Sequence, residues 1–357
     1  MYYTIMKMDD KIAHIIVSAI QEKIFPGAVI GYIKNGKKTV LPFGSHTYEE
    51  DSTKVKEDSI YDVASITKAI PTSCLAIKLI GEGKCSLDDT IRTYLPQLSG
   101  RYKDAITLRH LLTQTLEFPF SLSSFSEKTA EEILGTIYTC DLVSPPGEKY
   151  VYTNATSILL GLVIEEITKS TLDTVADEYF FTPLQMTTTT FHPELFIDQE
   201  IVPTEITGKG EVIQGVVHDE SARILSRDRA VGSAGLFSTV PDLLRFLQML
   251  LGNGQYDGVS YFSQEQIKMM ATNQLESIKE CAGLGWELCP EWYGNTLAMR
   301  NVMSKTGFTG CVFVCDVYKQ TGFVLLSNYN YPRRKKDKSK RNRVFYDLAK
   351  CLFSSSI

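Results

Sequence analysis

The stretch YDVASITKAI, residues 61–70, places Ser65 three positions before Lys68. Residues at this spacing lie on one face of a helix, so the lysine side chain can reach the serine oxygen. A serine hydroxyl is a weak nucleophile until a base takes its proton, and a lysine can be that base if burial or nearby positive charge lowers its pKa. A serine in the first helical turn also lies beside unbonded backbone N–H groups, which suit an oxyanion. The spacing therefore fits nucleophilic acyl transfer.

The S-x-x-K spacing alone is a weak signal, because chance produces it about once in a chain of this length. A serine and a lysine on an exposed helix explain it equally well. Two further motifs strengthen it, namely Y-x-N in PPGEKYVYTNATS and K-T-G in SKTGFTG. They comprise Tyr152, Thr153, Asn154, Lys305, Thr306 and Gly307.

Each of these motifs offers a chemical group that is useful beside a serine. Tyr152 is a second proton-transfer group, and Asn154 presents an amide to the lysine or to a substrate. Lys305 adds a positive field, and Gly307 lets a substrate approach the strand backbone. The phenol has an ordinary pKa of about 10, so it becomes a base only if the charges of Lys68 and Lys305 lower that value. Taken one at a time, these residues are explained by packing. The three motifs in this order are a specific signal of serine acyl-transfer chemistry.

With these motifs the chain resembles the serine β-lactamase and penicillin-binding protein superfamily. The branch is that of class C β-lactamases, D,D-carboxypeptidases, D-aminopeptidases and β-lactamase-fold esterases. The likeness extends over nearly the whole chain, in FPGAVIGYIKNGK, DVASITK, ITLRHLLTQT, PPGEKYVYTN, VHDE, AGLFSTVPDLLRF, GLGWEL, KTGFTG and VLLSN.

The resemblance implies a serine hydrolase that works through a covalent acyl-enzyme on an ester, amide or β-lactam carbonyl. The catalytic residues implied are Ser65 as nucleophile, Lys68 and Tyr152 as proton-transfer groups, and Lys305 as the strand lysine. By the same analogy, the backbone N–H groups of Ser65 and Phe308 form the oxyanion hole. The substrate-binding residues implied are Asn154, Thr306, Gly307, Phe308 and Gln114.

Two departures from the family pattern bear on the choice of substrate. Gln114 stands in LLTQT where relatives often have LLTHTSG, and Leu116 and Glu117 replace a Ser-Gly pair. Phe308 follows K-T-G where many β-lactam-processing members have serine, which removes a hydroxyl from the carboxylate end of the pocket. We therefore expect a penicillin-binding-protein-like esterase or D,D-peptidase. The alternatives are a true class C-like β-lactamase, or a catalytically quiet binding or scaffold protein, which the intact motifs disfavour.

Other catalytic chemistries have little support in the sequence. The chain has five histidines and no G-x-S-x-G elbow, which disfavours a Ser-His-Asp hydrolase. His218, Asp219 and Glu220 are adjacent, so on an extended segment they point to opposite sides, and we interpret them as a structural or cleft-edge loop. No C-x-x-C pair is present. The sequence predicts neither a metal nor a cofactor.

The balance of charge predicts the kind of partner. A net charge of −5 argues against nucleic-acid binding, and we expect a small-molecule or peptide substrate. The basic run from Arg333 to Arg343 is most simply a solvated loop, and the alternative is weak contact with an anionic lipid or cell-wall surface. No apolar run is long enough for a transmembrane helix.

Residues 1–27 lack the pattern of a secretory signal and predict an amphipathic helix instead. We expect a cytoplasmic protein as the chain stands, and an extracytoplasmic one if a signal has been removed. The eight cysteines show no paired spacing, which favours reduced thiols that mostly pack in the core.

β-rich segments at both ends of the chain enclose a helical middle. Asn35 and Gly36 predict a hairpin, LAMRNVMSKTG, GCVFVCDVYKQ and GFVLLSNYN predict strands, and residues 62–80 predict one long helix. The fold class is α/β (α+β), with a central antiparallel sheet flanked by helices and a mainly helical lobe. We expect residues 1–60 with 228–357 to form the sheet lobe, residues 61–227 the helical lobe, and the active site to lie at their junction.

Overall fold

The computed structural model describes residues 7–196, 201–227, 229–294 and 301–353. Its helices are α1 Met8–Gln21, α2 Cys74–Gly81, α3 Leu108–Leu112, α4 Ala130–Thr139, α5 Asn154–Thr168, α6 Leu172–Ala176, α7 Glu220–Leu225, α8 Val240–Leu251, α9 Gln264–Ala271 and α10 Ser339–Phe353. Its strands are β1 Gly27–Lys34, β2 Lys37–Gly44, β3 Tyr61–Asp62, β4 Glu205–Ile206, β5 Val212–Ile213, β6 Phe237–Ser238, β7 Gln255–Tyr256, β8 Val259–Ser260, β9 Met303–Thr306, β10 Val312–Asp316 and β11 Thr321–Ser327.

Strands from both ends of the chain form one antiparallel sheet in the order β2-β1-β11-β10-β9. The β1–β2 turn has φ of 52° at Asn35 and 74° at Gly36, the left-handed conformations that a two-residue hairpin turn needs. The predicted hairpin and the shared terminal sheet are confirmed. The predicted strand LAMRNVMSKTG begins at Met303, and its residues 297–300 lie outside the described residues. Strand β9 lies at the edge of this sheet and carries Lys305.

Helices cover the sheet on both faces, which explains why β11 is buried throughout. Val324 and Leu326 belong to the same apolar cluster as α8, whereas Phe323 and Leu325 pack with α1 and α10, as the alternation of side chains along a strand requires. Gly31 allows the close approach of α8, because a Cβ there would come within 2.4 Å of the Val240 side chain. The fold class predicted from the sequence is confirmed.

The prediction of a single helix over residues 62–80 is wrong. A 3₁₀ turn covers Ala64–Lys68, a π-helical turn covers Ala69–Ser73, and α2 begins only at Cys74. Ile70 has φ −116° and ψ 112°, because the ring of Pro71 excludes the helical conformation from the residue before it. Ser65 and Lys68 therefore lie in the 3₁₀ turn and not in helix α2.

Helix α5 is buried from Ala155 to Ile164 and contacts α2, α3 and α6. The region 190–230 contains the short strands β4 and β5 and the helix α7. Within the described residues no helix is long and apolar enough to cross a membrane. The division into two lobes at the stated boundaries stays a prediction.

Candidate active site

A short, strained turn presents the Ser65 side chain. Ala64, the preceding residue, has φ 48°, a left-handed conformation that is unusual for a residue with a side chain. Its N–H donates to Asp62 Oδ1 at 2.8 Å, and the other oxygen of this carboxylate accepts the N–H of His218 at 2.8 Å. Thr309 Oγ1 donates to the Asp62 carbonyl oxygen at 2.8 Å. Asp62, which the sequence did not single out, thus ties the serine turn to two other segments.

Lys68 contacts Ser65 and two fixed acceptors. Its Nζ lies 3.1 Å from Ser65 Oγ, 2.7 Å from Asn154 Oδ1 and 2.6 Å from the Ser233 carbonyl oxygen. A neutral amine has two N–H bonds and one lone pair. Because the amide oxygen and the carbonyl oxygen can only accept, they take the two N–H bonds and leave the lone pair facing the serine hydroxyl. The neutral lysine is therefore oriented to accept the Ser65 proton.

The surroundings of Lys68 favour this neutral form. Burial lowers its pKa to about 7, and the positive charge of Lys305 acts in the same direction. The carboxylates of Asp219 and Glu287 partly oppose that shift. The side chain is only 2% exposed, so water does little to stabilise the ammonium form. The lowered pKa therefore makes the free amine available near neutral pH.

Asp219 fixes the orientation of Asn154. The Asn154 Nδ2 donates to Asp219 Oδ2 at 2.9 Å, which leaves the amide oxygen to face Lys68. The second oxygen of Asp219 accepts the Ala222 N–H at 2.9 Å and caps the start of α7. The sequence indicates this residue only as part of a loop. The sequence DESA, residues 219–222, is typical of a helix start. No residue near Asp219 in the chain indicates its contact with Asn154.

The ring of Tyr152 lies between the two lysines. The Nζ of Lys68 is 5.2 Å from the ring centroid and that of Lys305 is 4.4 Å from it, and the hydroxyl hydrogen-bonds with Ser65. Although 43% of the Tyr152 surface is exposed, desolvation around its hydroxyl raises the pKa above the ordinary value, and the charge of Glu287 raises it further. The condition under which Tyr152 would act as a base, a lowered pKa, is therefore not met. Tyr152 is a protonated phenol, suited to donating and relaying a proton.

Lys305 has a carboxylate partner that the sequence did not reveal. Its Nζ lies 2.6 Å from Glu287 Oε1, and the lysine is 3% exposed. The backbone of Glu287 pairs with that of Ser304 through two hydrogen bonds of 3.0 and 2.9 Å, so its segment extends the edge of β9. The ion pair moderates the positive field of Lys305 at Lys68 and Tyr152.

Gly307 packs against the segment that leads to Ser65. A Cβ at this position would come within 2.5 Å of the Val63 carbonyl oxygen. The glycine of K-T-G therefore has a packing role, besides the substrate approach that the sequence suggested.

Ser65 lies where two cavities meet. One has a volume of about 860 Å³, and the other has a volume of about 720 Å³. The residues that line both are Ser65, Tyr152, Asn154, Asp219 and Phe308. The larger cavity is also lined by Thr306, Gly307, Lys338 and Arg341, and the smaller by Phe118, Phe120, Leu122 and His218.

The Phe308 side chain forms a boundary between these cavities. Its ring stacks on His218 with centroids 5.7 Å apart, and the cations of Arg334 and Lys338 lie 5.4 and 5.5 Å from its centroid. An aromatic wall thus stands where a serine in this position would leave space and offer a hydroxyl.

Gln114 supports the Y-x-N segment. Its Nε2 donates to Ser157 Oγ at 3.0 Å, its Oε1 accepts the Thr153 N–H at 3.3 Å, and its carbonyl oxygen accepts the Val151 N–H at 2.8 Å. These contacts position Tyr152 and Asn154. Contact of Gln114 with substrate stays a prediction.

Much of the basic run 333–343 contacts the protein itself. Arg334 pairs with Glu205 at 3.1 Å and Glu220 at 2.7 Å, Lys335 donates to the Ile24 carbonyl oxygen at 2.7 Å, and Arg341 is only 6% exposed. These residues therefore do not form a wholly solvated loop. Contact with an anionic surface stays a prediction.

A family model described as Beta-lactamase matches residues 12–346. The chain belongs to the β-lactamase family. A relative from Escherichia coli (strain K12), named "Putative D-alanyl-D-alanine carboxypeptidase", is 31% identical over 313 residues, which cover 78% of this chain and 71% of the relative. The predicted resemblance is confirmed, and the chain is a serine hydrolase of this family with a small-molecule or peptide substrate.

Solved structures share the fold of this chain. "EstCE1, a hydrolase with promiscuous acyltransferase activity" has a TM-score of 0.77 and 18% identity, over 97% of this chain and 98% of that chain. A "Beta-Lactamase/D-Alanine Carboxypeptidase from Pseudomonas syringae" has a TM-score of 0.75 and 21% identity, over 96% and 98% of the two chains. The fold is thus β-lactamase/transpeptidase-like.

Proposed function

We propose that this serine hydrolase acylates Ser65 and acts as a D,D-peptidase on a substrate with a free carboxylate. The observation that carries the catalytic part is the contact between Ser65 Oγ and Lys68 Nζ at 3.1 Å, with the Lys68 pKa lowered to about 7. The neutral amine takes the serine proton as Oγ attacks the carbonyl carbon. The N–H groups of Ser65 and Phe308 stabilise the oxyanion in this proposal.

Tyr152 then moves the proton to the leaving group. Its phenol hydrogen-bonds with Ser65 and lies beside the Lys68 ammonium that the first step creates. As the tetrahedral intermediate collapses, the phenol donates its proton to the departing nitrogen and regains one from Lys68. Water afterwards attacks the ester at Ser65 while the Lys68 amine takes its proton, and the pair returns that proton to the serine oxygen as the bond to the acyl group breaks.

Arg341 supports a substrate that carries a carboxylate. This guanidinium is nearly buried and lines the larger cavity. Its hydrogen-bond and ring partners are neutral, namely Asn342 Oδ1 at 2.8 Å and the rings of Tyr329 and Phe345, while the Glu287 carboxylate acts on it only through its charge. A carboxylate would provide the charged partner that a buried cation favours. The name of the Escherichia coli relative agrees with a peptide that ends in D-Ala-D-Ala.

Ester hydrolysis is the second candidate, favoured by the aromatic wall of the smaller cavity. The rings of Phe118 and Phe120 are 5.6 Å apart and Leu122 lies beside them, which suits an apolar acyl group. EstCE1, which shares this fold, is a hydrolase with promiscuous acyltransferase activity. Efficient turnover of β-lactams is disfavoured by the Phe308 ring.

The test compares an acyl-D-Ala-D-Ala peptide with its C-terminal amide, alongside nitrophenyl esters and nitrocefin. We expect amidation to lower kcat/KM by more than about tenfold, since a charge-assisted hydrogen bond is lost. Arg341→Met should remove that difference, and the exposed control Arg343→Met should keep it. Equal rates for acid and amide would exclude the carboxylate requirement, and turnover of esters alone would favour the second candidate.

A further inference from the structure

Two cysteines lie together at the larger cavity. The Sγ atoms of Cys281 and Cys289 are 2.7 Å apart, and both residues line the cavity that contains Ser65. A disulfide needs an S–S separation of about 2.05 Å, so a small rotation of either side chain would close the gap. We propose that Cys281 and Cys289 are a redox-active dithiol that closes to an intramolecular disulfide at the rim of the active site.

The chain between the two cysteines brings them together. Ala282 pairs with Glu287 in an antiparallel bridge, and the Gly283 N–H donates to the Trp286 carbonyl oxygen at 2.9 Å, with Gly285 at φ 77° in the turn. The cysteines flank this tight hairpin, and the thiols meet at its base. The buried Trp286 side chain anchors the hairpin in the core. The proximity of the thiols is therefore built into the fold and does not depend on flexible side chains at the surface.

Other cysteines within the described residues differ in burial and in thiol chemistry. Cys74, Cys311 and Cys315 are fully buried, where an external oxidant does not reach them. Cys85 is partly exposed, but burial raises its pKa to about 11, which keeps it a thiol at neutral pH. Cys85 is thus a matched control for the more accessible member of the pair, Cys281.

The reaction is a thiol–disulfide exchange with a low-molecular-weight disulfide as the oxidant. Cys281 is more exposed than Cys289, so its thiolate attacks the small disulfide, forms a mixed disulfide and releases one small thiolate. The Cys289 thiolate then attacks the Cys281 sulfur and displaces the second small thiolate. The two protein thiols lose two protons and two electrons, and the small disulfide becomes two thiols.

The bond would act on the site through Glu287, which lies inside the closed ring. Glu287 pairs with Lys305 at 2.6 Å and with the backbone of Ser304, so opening of the hairpin removes the partner of Lys305. A disulfide at the base restricts that opening. The bond formation stands by itself, whereas its effect on catalysis rests on the proposed function.

The experiment equilibrates the full chain with oxidised glutathione, then alkylates remaining thiols in denaturant and maps the peptides by mass spectrometry. We expect a Cys281–Cys289 crosslink, two hydrogen atoms lighter than the thiol form, in the wild type and in Cys85→Ser. Cys289→Ser should instead retain glutathione on Cys281, because the resolving thiol is absent. Full alkylation of both cysteines in oxidised wild type, or a stable glutathione adduct in place of the crosslink, would overturn the proposal.

Hydrogen exchange measures the consequence for the hairpin independently of any substrate. Backbone N–H groups of residues 282–288 should exchange at least about tenfold more slowly in the oxidised protein than in the reduced protein. Unchanged exchange in a protein shown to carry the crosslink would refute the effect on Glu287. Because neither readout uses turnover, failure of the D,D-peptidase assignment would leave both results interpretable.

Discussion

The charge of Lys305 should set the pH at which the enzyme loses activity on the acid side. Acylation requires neutral Lys68, whose pKa is about 7, so kcat/KM of the wild type should fall tenfold per pH unit below that value. The positive charge of Lys305 helps to hold this pKa down. Lys305→Met removes that charge and leaves Glu287 without its partner at 2.6 Å, and both changes favour the ammonium form of Lys68. The acid limb of the plot of kcat/KM against pH should therefore move to higher pH.

The size of the shift follows from the distances. The two Nζ atoms lie 5.2 and 4.4 Å from the centroid of the Tyr152 ring, so they are within about 10 Å of each other. Two unit charges at about 10 Å interact by about 1.7 kcal/mol at an effective dielectric constant of about 20. One pKa unit corresponds to about 1.4 kcal/mol. The apparent pKa of the coupled site should rise by about one unit or more.

The assay measures kcat/KM for a nitrophenyl ester between about pH 5 and pH 9. Glu287→Gln supplies the opposite charge change, and because Glu287 raises the Lys68 pKa, its acid limb should move to lower pH. The exposed Lys319→Met is the control and should leave the profile unchanged. The electrostatic account of Lys68 would be refuted if the acid limb moved in the same direction in Lys305→Met and Glu287→Gln. It would also be refuted if the limb did not move in Lys305→Met.

Three further substitutions test the groups around Ser65. Tyr152→Phe keeps the ring between the lysines but removes the proton relay, so kcat should fall by more than about tenfold in steady-state assays; an unaltered kcat would exclude the relay. Phe308→Ser opens the wall between the cavities and should raise kcat/KM for nitrocefin, and an unchanged value would remove Phe308 as the barrier. Asp219→Ala removes the acceptor of the Asn154 amide, and ester kcat/KM should fall by about tenfold or more, whereas wild-type rates would show that the contact is dispensable.

Local signals predicted part of the sheet and the contact within the S-x-x-K motif. The β1–β2 hairpin follows from Asn35 and Gly36. The three motifs predicted which side chains meet, since Ser65 and Lys68 contact each other as their spacing requires. These features depend on residues close together in the chain.

Contacts between distant segments were not predictable in this way. Asp62 joins the serine turn to residues 218 and 309, and Glu287 reaches Lys305 from an irregular segment, so no local pattern marks either residue. The apolar periodicity of residues 62–80 concealed the break at Pro71. The raised pKa of Tyr152 depends on desolvation around its hydroxyl and on Glu287, which only the folded arrangement reveals.

The most direct test of the central claim is the intact mass of the protein after mixing with a penicillin. Attack by Ser65 Oγ should add the mass of the intact drug to the wild type, and peptide mapping should assign it to Ser65. A folded Ser65→Ala protein should gain no mass and should lose at least about a thousandfold in ester turnover. An adduct on another residue, or full activity in folded Ser65→Ala, would contradict the acyl-enzyme mechanism.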